Sequence, residues 1–235
     1  MFTLNDVRTK TEPVGNWSKW VIHPLSDRLL VFIANHTQWT PNTLTLLSFA
    51  MALIAAPFFC NGSHPYLVAG GVLYELSFAL DAMDGTLARL KNLKSHMGAF
   101  IDPYLDTWKG LILSIALLFG QYRQNDTGLF LLEIWFIFIF MAQPLFYEIT
   151  RKAAQDKKEE ILKGVRDKIS KKGKTQDRML YPFTIVEFQT IAFFIFPLLN
   201  KVKSGLFLAS LLGTINMLAI NFIFILAVAR YERRK

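Results

Sequence analysis

Apolar residues gather along this chain into six blocks of about the length a helix needs to cross a bilayer: 43–61, 66–90, 98–121, 128–150, 183–200 and 205–229. Apolar side chains run around every face of these blocks, unlike a helix at the edge of a soluble core, which keeps a polar face. The fold class that follows is all-α: a polytopic membrane protein of six transmembrane helices. An N-terminal amphipathic interfacial helix is expected to precede them. The chain then divides into a cytoplasmic arm with its interfacial helix (1–42) and a six-helix transmembrane domain (43–235).

The interfacial helix is read from residues 14–36. Trp17, Trp20, Val21, Leu25, Leu29 and Phe32 are expected on one face, with Lys19, Asp27 and Arg28 away from it, and Pro24 is expected to kink or split the helix. The first 35 residues lack a continuous apolar core ending at a cleavage site, so no cleavable signal peptide is expected. Cys60 is the only cysteine, which rules out an intramolecular disulfide and leaves charge to set the topology.

Lysine and arginine fall on alternate connections. The arm, the turn carrying Arg89, Lys91 and Lys94, the loop at about 151–182 and the tail are basic, whereas the opposite connections are nearly bare. By the positive-inside rule both termini are cytoplasmic. The formal charge of +8 invites a nucleic-acid reading, but residues 151–178 hold 11 Lys/Arg against 5 Asp/Glu. A basic juxtamembrane segment is an orientation signal and a contact for anionic membrane lipids. No aromatic-interleaved basic patch accompanies it, so nucleic acid is not expected as a partner. The fourth span is expected to continue as a helix to about Ser170.

Carboxylates next to lipid are costly unless they bind something. Asp81 and Asp84 end the second span and Asp102 and Asp106 begin the third, so all four belong at the cytoplasmic face. Asp81, Asp84, Gly85 and Ala88 share one helical face; Gly98, Asp102 and Asp106 share another. A short polar turn between them is expected to pack the two helices antiparallel and to bring the carboxylates into one pocket. Such a cluster repels itself without cations, and hard divalent ions prefer oxygen ligands. Two ions sharing four aspartates fit, although spacing alone leaves the number open. Gly85, Ala88 and Gly98 leave room for a base or a diphosphate, and Arg89 supplies a charge suited to phosphate. Upstream, Thr40 is expected to cap the first span, with Pro41 at its first position and Asn42 and Thr45 one turn apart.

The pattern Asp81-x2-Asp84-Gly85-x2-Ala88-Arg89-x8-Gly98-x3-Asp102-x3-Asp106 resembles the signature of the CDP-alcohol phosphotransferase (CDP-alcohol phosphatidyltransferase) family, and all eight positions match. The resemblance implies an integral-membrane transferase with a cytoplasmic active site, moving a phosphoalcohol from a CDP-linked donor to an alcohol acceptor with release of CMP. Phospholipid headgroup biosynthesis is the setting it implies. Under it, Asp81, Asp84, Asp102 and Asp106 hold Mg2+ or Mn2+, with two ions expected, and Asp106 is also the general base. Gly85, Ala88, Arg89 and Gly98 border the nucleotide, with Asn42 and Thr45 as weaker members of that pocket. A homodimer is also implied. Glu75, Glu133, Glu187, Lys109, His96, Arg151 and Lys152 are secondary candidates for cavity lining, charge tuning or substrate contact.

The substrate is less sharply marked. GNWSKW and the run ARLKNLKS look most like members that join a CDP-linked polar alcohol, such as CDP-inositol, to another alcohol. The IDPYLD end is reminiscent of phosphatidylglycerophosphate synthases. Pro103-Tyr104 stand where choline and ethanolamine phosphotransferases commonly carry a His-Gly pair, though a CDP-choline-type donor stays among the alternatives. A divalent-cation transporter is the alternative of another class, since acids near helix ends also mark ion paths. Arg89 among the carboxylates argues against it.

Overall fold

The computed structural model of the chain describes residues 1–13, 15–124, 128, 130–153 and 185–232; these are helical with short connections, and no strand occurs among them. A short helix, α1 (Leu4–Lys10), begins with a capping box. Thr3 Oγ1 accepts from the Asp6 N–H at 3.2 Å, and Asp6 Oδ2 accepts from the Thr3 N–H at 2.8 Å. Asn35 clips this start to the next helix, accepting from the Phe2 N–H (2.7 Å) and donating to its carbonyl (2.9 Å).

A π-helical stretch, Ser18–Ile22, leads into α2 (His23–His36). The helix type changes just before Pro24, which stands in the first turn of α2 and not inside an unbroken α-helix. One face of α2 buries His23, Ser26, Asp27, Leu30, Ile33 and Ala34. The other exposes Val21, Leu29 and Phe32, with Trp20 and Leu25 each 70% exposed, so the larger apolar face points away from the protein. Trp17 corrects the expected face. It turns inward, its Nε1–H donating to Glu75 Oε2 at 3.1 Å and its ring meeting Phe194 edge-on. The π turn shifts the helical register there, and a carboxylate needs a donor.

The helices that follow are α3 (Pro41–Asn61), α4 (His64–Leu90), α5 (His96–Arg123) and α6 (Phe130–Ala153). A broken helix, α7, joins Ile185–Thr190, a π-helical stretch Ile191–Ile195 and Phe196–Leu198; α8 is Val202–Glu232. They coincide with the six apolar blocks to within a few residues. Thr40 caps α3 as expected, accepting from the Thr43 N–H at 3.2 Å, with Pro41 at the first position. Three stretches are long and apolar enough to cross a membrane: Pro41–Asn61, His64–Leu90 and Val202–Ala219. Shorter apolar runs occupy Phe130–Ala142 and Val186–Leu198. In α5, 28 residues long, Asp102, Asp106 and Lys109 dilute the apolar run. Large apolar side chains face outward along these helices, among them Ile54, Val72, Phe119, Phe138, Phe207 and Phe222. A water-facing surface rarely carries so many. The expected helix beyond residue 153 and the basic loop to residue 182 lie outside the described residues.

At the centre, α3 packs against both α4 and α5, while α6 packs on α8, and α1 and α2 lie on α4. The expected packing of α4 on α5 is therefore corrected. Their close approaches are slight, and α3 is the partner of both. One core cluster centres on Phe193 of α7, whose ring meets Phe59, Tyr74 and Phe136 at 5.4–6.0 Å. A second joins Val7 and Leu30 of the arm to Leu44, Met83, Leu87 and Leu90.

The seam between α3 and α5 is closest at Gly120, where a Cβ would run into the Phe59 carbonyl oxygen and sit 3.1 Å from Gly62 Cα. Gly62 itself ends α3 at φ +78°, a conformation that favours glycine. Gly120→Val is expected to cost about 1–3 kcal/mol by overpacking this backbone contact. Thermal unfolding in detergent checks it, and an unchanged Tm would show that the seam is looser than it stands here.

Candidate active site

The carboxylates enter the site from two helix ends. Asp81 and Asp84 lie in the last turns of α4, Asp102 and Asp106 in the first turns of α5, and the turn 91–95 joins the helices. Ser95 caps α5 by accepting from the Gly98 N–H at 2.9 Å. Behind both helices, α3 offers hydroxyls. Thr45 Oγ1 donates to Asp84 Oδ2 at 2.5 Å, and Ser48 Oγ donates to Asp81 Oδ1 at 3.2 Å.

Three carboxylates form a compact oxygen cluster. One oxygen each from Asp81, Asp102 and Asp106 lies within 4.8 Å of the other two. Asp84, 5% exposed, lines the same cavity but stands outside that cluster, turned toward Thr45. Lys109 bridges the others, its Nζ lying 2.5 Å from Asp81 Oδ1, 2.6 Å from Asp106 Oδ1 and 2.9 Å from Ser48 Oγ. All three ammonium protons thereby find acceptors. Asp102 Oδ1 is buried and has no hydrogen-bond partner among the described residues. Asp106 is the most open of the paired acids, its side chain 45% exposed against 16% for Asp81.

A cavity of ≈ 420 Å³ takes in all four aspartates, Gly85, Arg89 and Lys109. Its far side comes from unexpected quarters: Glu12, Ser18 and His23 of the arm, and Val186 and Gln189 of α7. Arg89 already faces the arm, donating from Nε to the Lys10 carbonyl (2.6 Å) and lying 3.5 Å from Glu12 Oε2. A Cβ at Gly85 would meet the guanidinium at an ordinary contact distance of 3.4 Å, so the place of Arg89 does not itself require glycine there. Glu187 and Glu75 receive the arm. Glu187 Oε1 accepts from the Asn16 N–H (2.5 Å) and the Trp17 N–H (3.3 Å), and Glu75 accepts from the Trp17 indole.

The remaining candidates are more distant. Thr45 acts on Asp84, not on the cavity. Asn42 is exposed at the start of α3, and its Oδ1 would lie 3.2 Å from a Cβ at Gly98, so Gly98 permits the close passage of α3 and α5. Ala88 is half-buried beside the site and does not line the cavity. Glu133 is buried in α6 with neither oxygen hydrogen-bonded, and it too lies away from the lining. His96 is exposed in the first turn of α5, and the side chains of Arg151 and Lys152 are outside the described residues.

The model of one known family, CDP-alcohol phosphatidyltransferase, matches residues 38–215. The chain belongs to the CDP-alcohol phosphatidyltransferase family. It is an integral membrane protein of that family. It is 36% identical over 84 residues to the bifunctional IPC transferase and DIPP synthase of Rubrobacter xylanophilus, a match covering 36% of this chain and 19% of that protein. It is also 29% identical over 110 residues to an archaetidylinositol phosphate synthase of Methanothermobacter thermautotrophicus, covering 47% and 55%. The chain thus spans less than two thirds of either relative. Its fold is similar to that of the Mycobacterium tuberculosis phosphatidylinositol phosphate synthase crystallised with CDP-DAG bound, with a TM-score of 0.52 at 17% identity over 84% of this chain and 90% of that one.

Lys109 is the group on which this cluster's charge balance turns. Lys109→Met is expected to lower the stability of the chelator-treated protein by about 3 kcal/mol, because buried like charges lose their counter-ion. Thermal unfolding in EDTA reads this. Equal midpoints for the two proteins would show that the lysine is not holding the cluster together.

Proposed function

We propose that this protein transfers a phosphoalcohol from a CDP-linked donor to an alcohol, releasing CMP, in phospholipid headgroup synthesis. One observation carries the reading. A cluster of three carboxylates, with Asp84 beside it and Arg89 and Lys109 among them, opens onto a cavity wide enough for a substrate. The signature residues and the family membership support it. The names of the relatives, and of the structure holding CDP-DAG, favour a CDP-linked lipid donor and an inositol-type acceptor. A donor such as CDP-inositol or CDP-choline is the alternative.

The donor set fits a divalent ion. It is all oxygen, and the buried, unpaired Asp102 Oδ1 calls for a cation or proton donor. Asp81, Asp102 and Asp106 would hold Mg2+ or Mn2+, with Asp84 available to a second ion. When bound, such an ion neutralises charge on the phosphate oxygens. The protein's own groups do the rest. Arg89 faces the diphosphate in place of Glu12, since a guanidinium binds phosphate at least as well as carboxylate. Asp106, more open than the Asp81 with which it shares Lys109, takes the proton of the acceptor hydroxyl. That oxygen bonds to the phosphorus distal to cytidine, and the bond from this phosphorus to the CMP oxygen breaks. Lys109 holds the Asp106 carboxylate toward the cavity, and α3 fixes the cluster from behind.

The reading extends to topology. Six spans, both termini and the active site on the cytoplasmic side, and α2 lying in the interface with its outward tryptophan and leucines in lipid, follow from the charge distribution and from the exposed apolar face of α2. A homodimer belongs to the proposal on the family resemblance alone.

Asp106→Asn is expected to leave donor binding within about twofold and to cut CMP release by roughly 10²–10⁴-fold. Donor binding by calorimetry, beside turnover with CDP-diacylglycerol and inositol, separates the two. Chelation is expected to stop turnover and Mg2+ or Mn2+ to restore it. If the protein with either ion frees no CMP from CDP-diacylglycerol, CDP-inositol, CDP-choline or CDP-glycerol across a panel of alcohols, the transferase reading is lost. Cation uptake into sealed vesicles, abolished by Asp84→Asn, would replace it with a carrier.

A further inference from the structure

We propose that the arm side of the cavity is a binding site for a polyhydroxy alcohol, in which His23 Nε2 accepts a hydrogen bond from one of its hydroxyls. The inference rests on the transferase reading and adds to it the place and the chemistry of acceptor recognition.

His23 lines the cavity and is 6% exposed. Its Nδ1 lies 3.2 Å from Oδ1 of Asp27, one helical turn on and 5% exposed. The same Asp27 oxygen accepts from Thr11 Oγ1 at 3.2 Å. A carboxylate has lone pairs and no proton to give, so the imidazole donates from Nδ1, and in its neutral form the lone pair lies on Nε2. Among the described residues nothing engages that nitrogen. An aspartate that fixes the tautomer of a cavity-lining histidine is the arrangement that presents a proton acceptor to a hydroxyl.

The neighbours on this wall suit a polyol. Ser18 from the arm and Gln189 from α7 line the same cavity and add neutral donors and acceptors. Arg89 and Lys109 are the cations among the described lining residues, and each already faces a carboxylate, at 3.5 Å and 2.5 Å. The arm wall thus reads hydroxyls. The wall is also held in place. Glu187 takes the backbone N–H of Asn16 and Trp17, Glu75 takes the Trp17 indole, and Arg89 takes the Lys10 carbonyl. A site clipped at three points is preorganised for its ligand.

The test uses the full chain, labelled with 15N-histidine in lipid nanodiscs with CDP present. The chain has four histidines, and His23→Gln assigns the resonance in question. A His23 tautomer protonated on Nδ1 is expected, with an Nε2 signal that moves in separate titrations with myo-inositol, myo-inositol phosphate and glycerol phosphate. Asp27→Asn, a change to a positioning residue, is expected to mix the tautomers and weaken the response. In CMP-release assays with CDP-diacylglycerol, His23→Gln should raise the acceptor KM by roughly tenfold while the donor KM stays within about twofold. An Nε2 signal unmoved by all three compounds overturns the site, as does an equal change in both KM values. A response confined to the phosphorylated compounds overturns hydroxyl recognition. A wild-type protein that releases no CMP yet shifts Nε2 with myo-inositol keeps the binding site and loses the transferase reading. Turnover with a silent His23 does the reverse.

Discussion

Like charges in a poorly hydrated cavity repel far more strongly than in water, and Asp81, Asp84, Asp102 and Asp106 all line one cavity. The surrounding structure answers this constraint piece by piece. Asp84 is drawn aside by Thr45, while Asp81 and Asp106 share the Lys109 ammonium. Asp102 keeps an oxygen with no partner among the described residues. α4 and α5 stand apart, and α3 fills the role of common neighbour, sending hydroxyls to Asp84 and Asp81. The close contact of Gly120 with the Phe59 carbonyl at the opposite end of α3 belongs to the same arrangement, since α3 must serve both carboxylate helices at once.

The arm is the second consequence. Glu12, Ser18 and His23 of the arm join α4 and α5 in lining the cavity. Arg89 is where the two parts meet. Its guanidinium holds the Lys10 carbonyl and faces Glu12 across 3.5 Å, so a carboxylate stands where a diphosphate is proposed to bind. Exchange of Glu12 for a donor phosphate conserves the sign of charge at Arg89, and Glu12, 70% exposed, has water to return to. The arm is thus positioned to respond to the donor without unfolding, because its other anchors, Glu75 and Glu187, lie on different helices.

Much of this was legible in the sequence because it is written locally. Block length and apolarity placed six helices to within a few residues, and Thr40-Pro41 placed the start of α3. The i, i+3 and i, i+4 spacing of the aspartates placed them on two faces. What the sequence withheld depends on contacts between distant residues. Asn16 and Glu187 meet across 171 positions, and no periodicity reports such a pair. Helix-like spacing puts Trp17 on the outer face, and the π turn alters that register. The family resemblance makes Thr45 a weaker member of the nucleotide pocket; only the folded geometry shows its hydroxyl on Asp84. The His23–Asp27 pair had a visible i, i+4 spacing, but nothing local says that the polar face of an interfacial helix turns toward a cavity.

The two halves of the cavity differ in chemistry, and that difference separates a transferase from a cation path. A fixed cation beside a carboxylate cluster repels a passing divalent ion. Here the four aspartates gather with Arg89 and Lys109 among them, and the arm and α7 add Glu12, Ser18, His23 and Gln189 to the lining. On the proposed function, the anionic donor would meet Arg89 and the aspartates, and the hydroxyl-rich acceptor would meet Ser18, His23 and Gln189. The motif on α4 and α5 would then govern which bond breaks, while the arm and α7, outside that motif, would be free to vary the alcohol. Specificity of this kind comes from hydrogen-bonding groups left unpaired by the wrong ligand, and a wall of imidazole, hydroxyl and amide has several to leave.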